Sequence, residues 1–498
     1  VHAFLYVSAV QLGSATIHIT DANGATLDIP LQVAQPAGIV PSSLSLIVTG
    51  NPVTSKFLGR QIRAALRRVI RPTLQPGASI TFSSLAIPLQ PLQPGFLTSI
   101  DVPVTVSGGA DTAPVFATTT VSVQNLALDQ TVPSVLFYDD DPEYVQLPGV
   151  LFRKTVQPST VTRLYYYHDN LGLPKDIAVV LKAVSPLPTR VQLIDVEGGP
   201  NLDVMSVGNF VSKSFLLTEG KNEGIVVDLP AQSPFVLRNS LALIGELVAG
   251  AVDIRVLMGG PVDVTVVATP AGDPLSSYLN GPLAPRDGHH RSGAFNIAGF
   301  GVQTIAYTVG GPDASTTYGG RDTAPPNLNP ASLGHDWGDY GVTHRFTFDI
   351  DNPTDMPQDV YLYEKPFGGA TINSFIVDGQ VRQMGCVRIP ERYEIEHYEV
   401  APNAEITSNV VTMTDGGSSY PLEIGLTQTP PFPFTPPMDA PDGCFPKETP
   451  PPTPTPFEAV PLPSGTPTEL PSGVPGLPTP MPAVPTPSAY PTPTPAPT

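Results

Sequence analysis

Four carboxylates fall within five residues at Asp139, Asp140, Asp141 and Glu143. A hard cation such as calcium takes several oxygens converging from a short loop, and calcium between domains is a way to stiffen a surface protein. These four residues are therefore calcium candidates, although their spacing is not that of an EF-hand loop. The plain alternative is a solvated acidic patch. Asp351, Asn352 and Asp355 form a weaker second group, in which Asn352-Pro353 reads first as a turn. His289, His290, His335 and His344 are half of the eight histidines. A metal needs ligands facing one point, and adjacent residues of a strand face opposite ways, so polar loop contacts around Asp287 and Arg291 are the simpler role.

No catalytic residues are assigned. The chain contains no nucleophile elbow, phosphate loop, His-Glu-x-x-His helix or Cys-x-x-Cys pair. A glycosidase needs only two carboxylates at a suitable separation, which no motif reveals. Tyr165, Tyr166, Tyr167 and His168 alternate across a sheet, two packing in the core and two free to stack on a sugar ring. Trp337 is the one tryptophan and reads as a loop anchor. A carbohydrate groove ordinarily offers more aromatic platforms than that. Cys386 and Cys444 are the two cysteines, and their position around the end of the last folded region suggests a bridge rather than two buried thiols. Closing that loop would stabilise the fold by about 4 kcal/mol.

The elements that must position these residues are mostly strands. Ile17 and Ile19, then Leu27, Ile29, Leu31 and Val33, alternate on either side of Asn23-Gly24, a hairpin pattern. A second strand-rich unit runs over 39–130. Inside it, residues 55–71 predict one amphipathic helix, capped by Ser55 and stopped by Pro72. Leu58, Ile62, Ala65, Leu66 and Val69 share one face; Lys56, Arg60, Arg63, Arg67 and Arg71 share the other. That basic face either contacts an anionic surface, through Arg60, Arg63, Arg67 and Arg71, or covers a sandwich edge with its arginines paired to carboxylates. From Pro133 onward, short strands separated by Gly, Pro and Asp loops predict two antiparallel sandwiches, over 131–272 and 273–428.

The segments LFYDDDPEYV, GVLFRKTV, RLYYYH, GGPNLDVMSVG, DGHHRSGAF, FDIDNPTD, YLYEKPFGG and MTDGGSSYPLEIG resemble an uncharacterised family of bacterial exported β-proteins. The resemblance covers roughly residues 136–447 and implies immunoglobulin-like units ahead of the core. Residues 14–34 are similar to the last strands of a bacterial immunoglobulin-like (Big-type) repeat, which makes 1–38 a partial domain. The resemblance implies no activity, ligand or catalytic residue.

Of the 62 prolines, 26 lie from Thr429 onward. Proline this dense excludes helix and central strand and favours a disordered, polyproline-type tail over 429–498, a semi-rigid spacer. The net charge of −19 with 25 Lys plus Arg disfavours nucleic-acid binding, which needs a basic surface. No apolar run approaches the ~20 residues of a membrane span, and no signal peptide is visible. The expectation is an all-β chain of tandem immunoglobulin-like and sandwich domains with one helix, acting outside the cell or on its surface as a structural or adhesive protein without catalysis. Its partner would be an envelope polymer or a surface protein. A carbohydrate-binding module or carbohydrate-active enzyme, using the loops around residues 287–291 and 334–341, is the alternative.

Overall fold

The strand Val161–Asn170 carries Leu164 and Tyr166 on one face and Tyr165 and Tyr167 on the other, and all four are buried. A strand buried on both faces must lie inside a sheet with a layer on each side. The computed structural model, which describes residues 7–8, 11–83, 90–109, 111–321, 324–328 and 335–433, places it there. One neighbour is Leu247–Met258, antiparallel; the other is Val135–Asp139, parallel. Leu164 and Tyr166 enter the core of the first sandwich, while Tyr165 and Tyr167 enter a second cluster on the opposite face.

That sheet has eleven strands, and it crosses two expected domain boundaries. From Ser292–Asn296 it runs through Val135–Asp139, Val161–Asn170, Leu247–Met258, Thr189–Asn201 and Gly224–Leu229. It then continues into Ser43–Thr49, Val115–Asn125, Leu97–Gly108 and Ala78–Phe82; the eleventh strand, Tyr144–Val145, lies off this path and pairs with Val161–Asn170. Gly224–Leu229 pairs antiparallel with Ser43–Thr49, so the 39–130 unit and the first sandwich share one ladder. A buried polar joint closes the seam: Gln192 Nε2 donates to Thr49 Oγ1 (3.0 Å) and to Asn222 Oδ1 (2.9 Å), and Thr49 Oγ1 donates to the Asn222 carbonyl (2.8 Å). At the other end Ser292–Asn296, expected in the second sandwich, pairs with Val135–Asp139 of the first. A four-stranded sheet (Gly149–Val156, Val262–Pro270, Lys175–Ala183, Pro234–Ala242) covers one face of the large sheet. The second sandwich packs a five-stranded sheet, from Val302–Thr308 to Gln380–Gln383, on a four-stranded one built around Leu422–Thr427 and Gln358–Pro366. The all-β expectation holds at this level. The hairpin Gly13–Thr20/Thr26–Val33 forms by itself, with most of its residues exposed.

Two helices, not one, occur among the described residues. In α1 (Ser55–Ile70) the cap is Thr54 rather than Ser55, its side chain accepting from the Phe57 amide at 3.3 Å. Leu58, Ile62 and Leu66 are buried as expected, joined by Phe57 and Ile70; Val69 is exposed instead, and Arg71 lies in a following 3-10 turn. The helix end turns its core face away from Val69 because Ile70 takes the buried place. The second helix, α2 (Val204–Glu219), was not expected. It is capped by Asp203 and lies between the large sheet and the second sandwich. Being covered on both sides, it lacks the polar face from which an amphipathic helix is read.

No described helix is long and apolar enough to cross a membrane, which says nothing of a β-barrel. Cys444 and the Pro/Thr tail from residue 434 lie outside the described residues, so the expected Cys386–Cys444 bridge does too.

Candidate functional site

Where the second sandwich meets the uncovered face of the large sheet, the packed cluster gives way to a cleft of about 720 Å³. The large sheet supplies Tyr138, Tyr165 and Tyr167; the loops supply Asp140, Glu143, His290, Arg291, Arg321, Trp337, Tyr340 and Tyr420. Two of the four residues in the Tyr-Tyr-Tyr-His run reach this site, as strand alternation requires. None of the four is exposed, however. Tyr166 is in the opposite core, with its hydroxyl donating to Glu197 Oε2 (2.7 Å), and His168 is held by Asp139.

Glycines set how closely the loops approach the floor. A Cβ added to Gly416 would stand 2.4 Å from Tyr167 Cε2, and one on Gly208 of α2 would stand 1.9 Å from the Gly416 carbonyl oxygen. The loop at 416–420 can therefore lie on both helix and tyrosines only without side chains at these points. Across the cleft the Tyr138 and Tyr340 rings stack at 6.2 Å, and Tyr420 meets Tyr340 edge-on at 5.7 Å. The Tyr340 hydroxyl donates to the Ser418 carbonyl (2.8 Å).

The four clustered carboxylates take four different partners. Asp139 Oδ2 is 2.9 Å from His168 Nε2. The charge of Asp139 and its hydrogen bond raise this imidazole against the burial that lowers it. Asp141 receives Arg286 Nη1 (2.8 Å) and the Asp287 amide (3.0 Å). Glu143 Oε2 is 2.8 Å from His290 Nε2, while Asp287 Oδ2 is 2.8 Å from His290 Nδ1. Flanked in this way, His290 is raised to about 9 by its hydrogen bond to Glu143, working with Asp287 against burial. Asp287 sits at about 2: burial would raise it, but the amides of His290, His289 and Glu143 and the His290 ring hold it down. Both are charged at neutral pH.

Asp140 differs. It is buried, accepts from the Tyr138 hydroxyl at Oδ2 (2.8 Å), and its Oδ1 has no hydrogen-bond partner among the described residues. Burial, aided by the charge of Glu143, pushes its carboxyl well above the usual range. Asp336, also buried, is pushed well up for the same reason, with Asp339 adding to it. Of the two, Asp140 lines the cleft. Besides His290, which is held between Glu143 and Asp287, its cations are Arg291 and Arg321, each with its guanidinium carbon 4.4 Å from the Trp337 ring centroid. Trp337 is clamped by these arginines and by the His335 ring (6.2 Å), more than the simple loop anchor expected of it.

The other expected candidates fall elsewhere. His344 is buried against Tyr318 and Phe346, away from His289 and His290, and burial lowers it to about 3. Asn352 is buried and donates to the carbonyls of Met356, Val400 and Ala401, pinning a turn. Among the described residues no group of three or more His, Cys, Asp and Glu side chains is arranged to hold a metal. Arg60, Arg67 and Arg71 are exposed and Arg63 half-exposed. None of them enters an ion pair among the described residues, so the expected pairing with surplus carboxylates is absent. Arg68 instead covers the Phe235 ring at 4.5 Å. Sequence reasoning missed Asp140 as distinct from its neighbours, and missed Tyr420 and Arg321; Tyr340 lies in the 334–341 loop named for the carbohydrate alternative, without having been singled out. The GDYG and SSYP loops carry no spacing that marks a site.

No protein-family model matches this sequence, and no curated protein does. Among solved structures, Lac15 from a marine microbial metagenome aligns over 83% of this chain and 96% of its own, at 10% identity and a TM-score of 0.12. Tripeptidyl peptidase 2 aligns over 71% of this chain and 29% of its own (11%, 0.17). A multicopper oxidase from Campylobacter jejuni aligns over 77% and 89% (8%, 0.09). At these TM-scores the similarities carry no argument about what the chain does.

Proposed function

We propose that this chain is an exported β-protein that binds a saccharide in the cleft between its sandwiches, with immunoglobulin-like strands at its N-terminal side. The observation that carries the reading is the convergence of six aromatic residues on one cleft around Asp140, a buried carboxyl with an unengaged oxygen. A sugar ring has apolar C–H faces and hydroxyl edges. Aromatic surfaces take the first, and a few fixed donors and acceptors take the second. The single tryptophan had counted against this reading; Tyr340 and Tyr420, half-buried at the same cleft, add ring surface to it, over a floor of buried tyrosines.

Binding without turnover is the form supported. Hydrolysis by two carboxylates needs a proton donor and a second, free carboxylate. Asp140 suits the first role, but Glu143 is committed to His290 and Asp336 is pushed toward its neutral form.

The test is to screen the whole chain against neutral and acidic oligosaccharides, with Tyr340→Ala beside wild type and a reducing-sugar assay on every binder. Saturable binding that Tyr340→Ala weakens at least tenfold, without sugar release, is the expected result. Release of reducing ends would replace the binding reading with a catalytic one, and absence of any saccharide ligand would end both. A second reading, adhesion to an anionic envelope polymer through α1, is favoured by the arginines left without ion pairs on that helix.

A further inference from the structure

We infer that the saccharide carries an anionic substituent, a carboxylate or a sulfate, and that Arg291 and Arg321 are the residues that select it. This rests on the reading of the cleft as a saccharide site. Both arginines line the cleft, and both are positioned over the same Trp337 ring. Stacking uses the flat face of a guanidinium and leaves its rim of N–H donors pointing sideways, the geometry that grips two oxygens of a carboxylate or sulfate by two hydrogen bonds. Arg291 spends Nη1 on the Trp337 carbonyl (3.1 Å).

What makes the pair informative is that the described residues supply no counter-ion. In a chain of net charge −19, neither arginine forms an ion pair among the described residues. The carboxylates nearby are already committed: Asp139 to His168, Asp141 to Arg286, and Glu143 and Asp287 to His290. Asp140 and Asp336 are held toward the neutral form by burial, so they oppose the arginines little. Positive charge is thus left over at the cleft where these aromatic rings collect. A neutral sugar would leave it unused.

The experiment measures binding of the whole chain to three probe sets of matched length: neutral gluco- and galacto-oligosaccharides, oligogalacturonates with alginate oligomers, and sulfated galactan oligomers. Arg291→Gln and Arg321→Gln are run beside wild type, with melting curves to confirm that each variant is folded. Expected is at least tenfold tighter binding of one anionic set over the neutral set, weakening as salt rises. Arg321→Gln, at an exposed position, should remove most of that preference while melting as wild type. Which anionic set binds distinguishes carboxylate from sulfate. Neutral oligosaccharides binding equally well, with both variants unchanged, would overturn the inference and leave the saccharide site standing. No binding of any set would remove the saccharide reading and the inference together.

Discussion

Glu364 shows how far burial rather than sequence context decides a side chain's behaviour. Nothing near it in YLYEKP marks it as unusual, yet it is fully buried, accepts from Asn373 Nδ2 (2.8 Å) through Oε2, and has no partner for Oε1 among the described residues. Burial raises it from 4.5 to about 8, with the charge of Asp415 adding to the effect. The folded state therefore keeps a proton that the unfolded chain loses above about pH 4. Its contribution is complete below that pH and is lost as pH rises through about 8. Denaturant midpoints should fall between pH 5 and 8, and Glu364→Gln should flatten that slope; an unchanged slope in the variant would assign it to other groups. Asp339 and Asp415, each raised to about 7 by burial, add to the same trend. At Gly416 the argument is steric. Alanine there meets the Tyr167 ring at 2.4 Å, so Gly416→Ala should cost about 1–3 kcal/mol by urea titration and weaken saccharide binding as the loop lifts.

At the scale of elements, legibility followed the number of covered faces. α1 was readable because one side meets solvent, so apolar and basic residues separate at helical spacing. Its errors are local: Thr54 for Ser55 at the cap, and Ile70 for Val69 on the buried face. α2, packed on both sides, showed no such separation; only Asp203 as cap and Gly220 at the end marked its limits. The strand alternation at Tyr165–Tyr167 sorted two rings to one face and one to the other, but which face held the cleft depended on a sandwich two hundred residues away. Two predictions belong to α1. Ile62→Ala should cost about 2–5 kcal/mol, since Ile62 is wholly buried. Arg60, Arg63 and Arg67 replaced together by Gln should leave stability within about 0.5 kcal/mol per site, because they form no ion pair among the described residues and Arg60 and Arg67 only lie over the Phe57 and Phe82 rings, while lowering retention on anionic envelope polymers in a salt-dependent way. Unaltered retention would confine the helix to a structural role.

The whole molecule turns on Arg163. Its side chain is fully buried and holds Asp253 through two hydrogen bonds (2.7 and 3.1 Å), Glu219 at the end of α2 (2.9 Å), and, in the second sandwich, the Gly341 carbonyl (3.0 Å) and Thr343 Oγ1 (2.7 Å). Phe215 of α2 lies under the guanidinium at 4.6 Å. Arg163→Leu would leave Asp253 buried without its counter-ion and Glu219 with only Arg345 at 3.6 Å, costing about 3–5 kcal/mol. Calorimetry should then resolve an earlier transition for the second sandwich, and saccharide binding should fall with it. A single unshifted melting transition would show that the sandwiches hold together without this residue.

The ladder between Gly224–Leu229 and Ser43–Thr49 has a bearing on descent as well as on folding. Immunoglobulin-like modules strung on linkers can be duplicated or dropped, since each closes its own sheet. Here the N-terminal unit lends its strands to a sheet that the first sandwich completes. Deleting it would bare a central strand edge, the kind that pairs with other chains. Its addition was therefore not the gain of a detachable cassette. Relatives of this chain should inherit both parts together or neither.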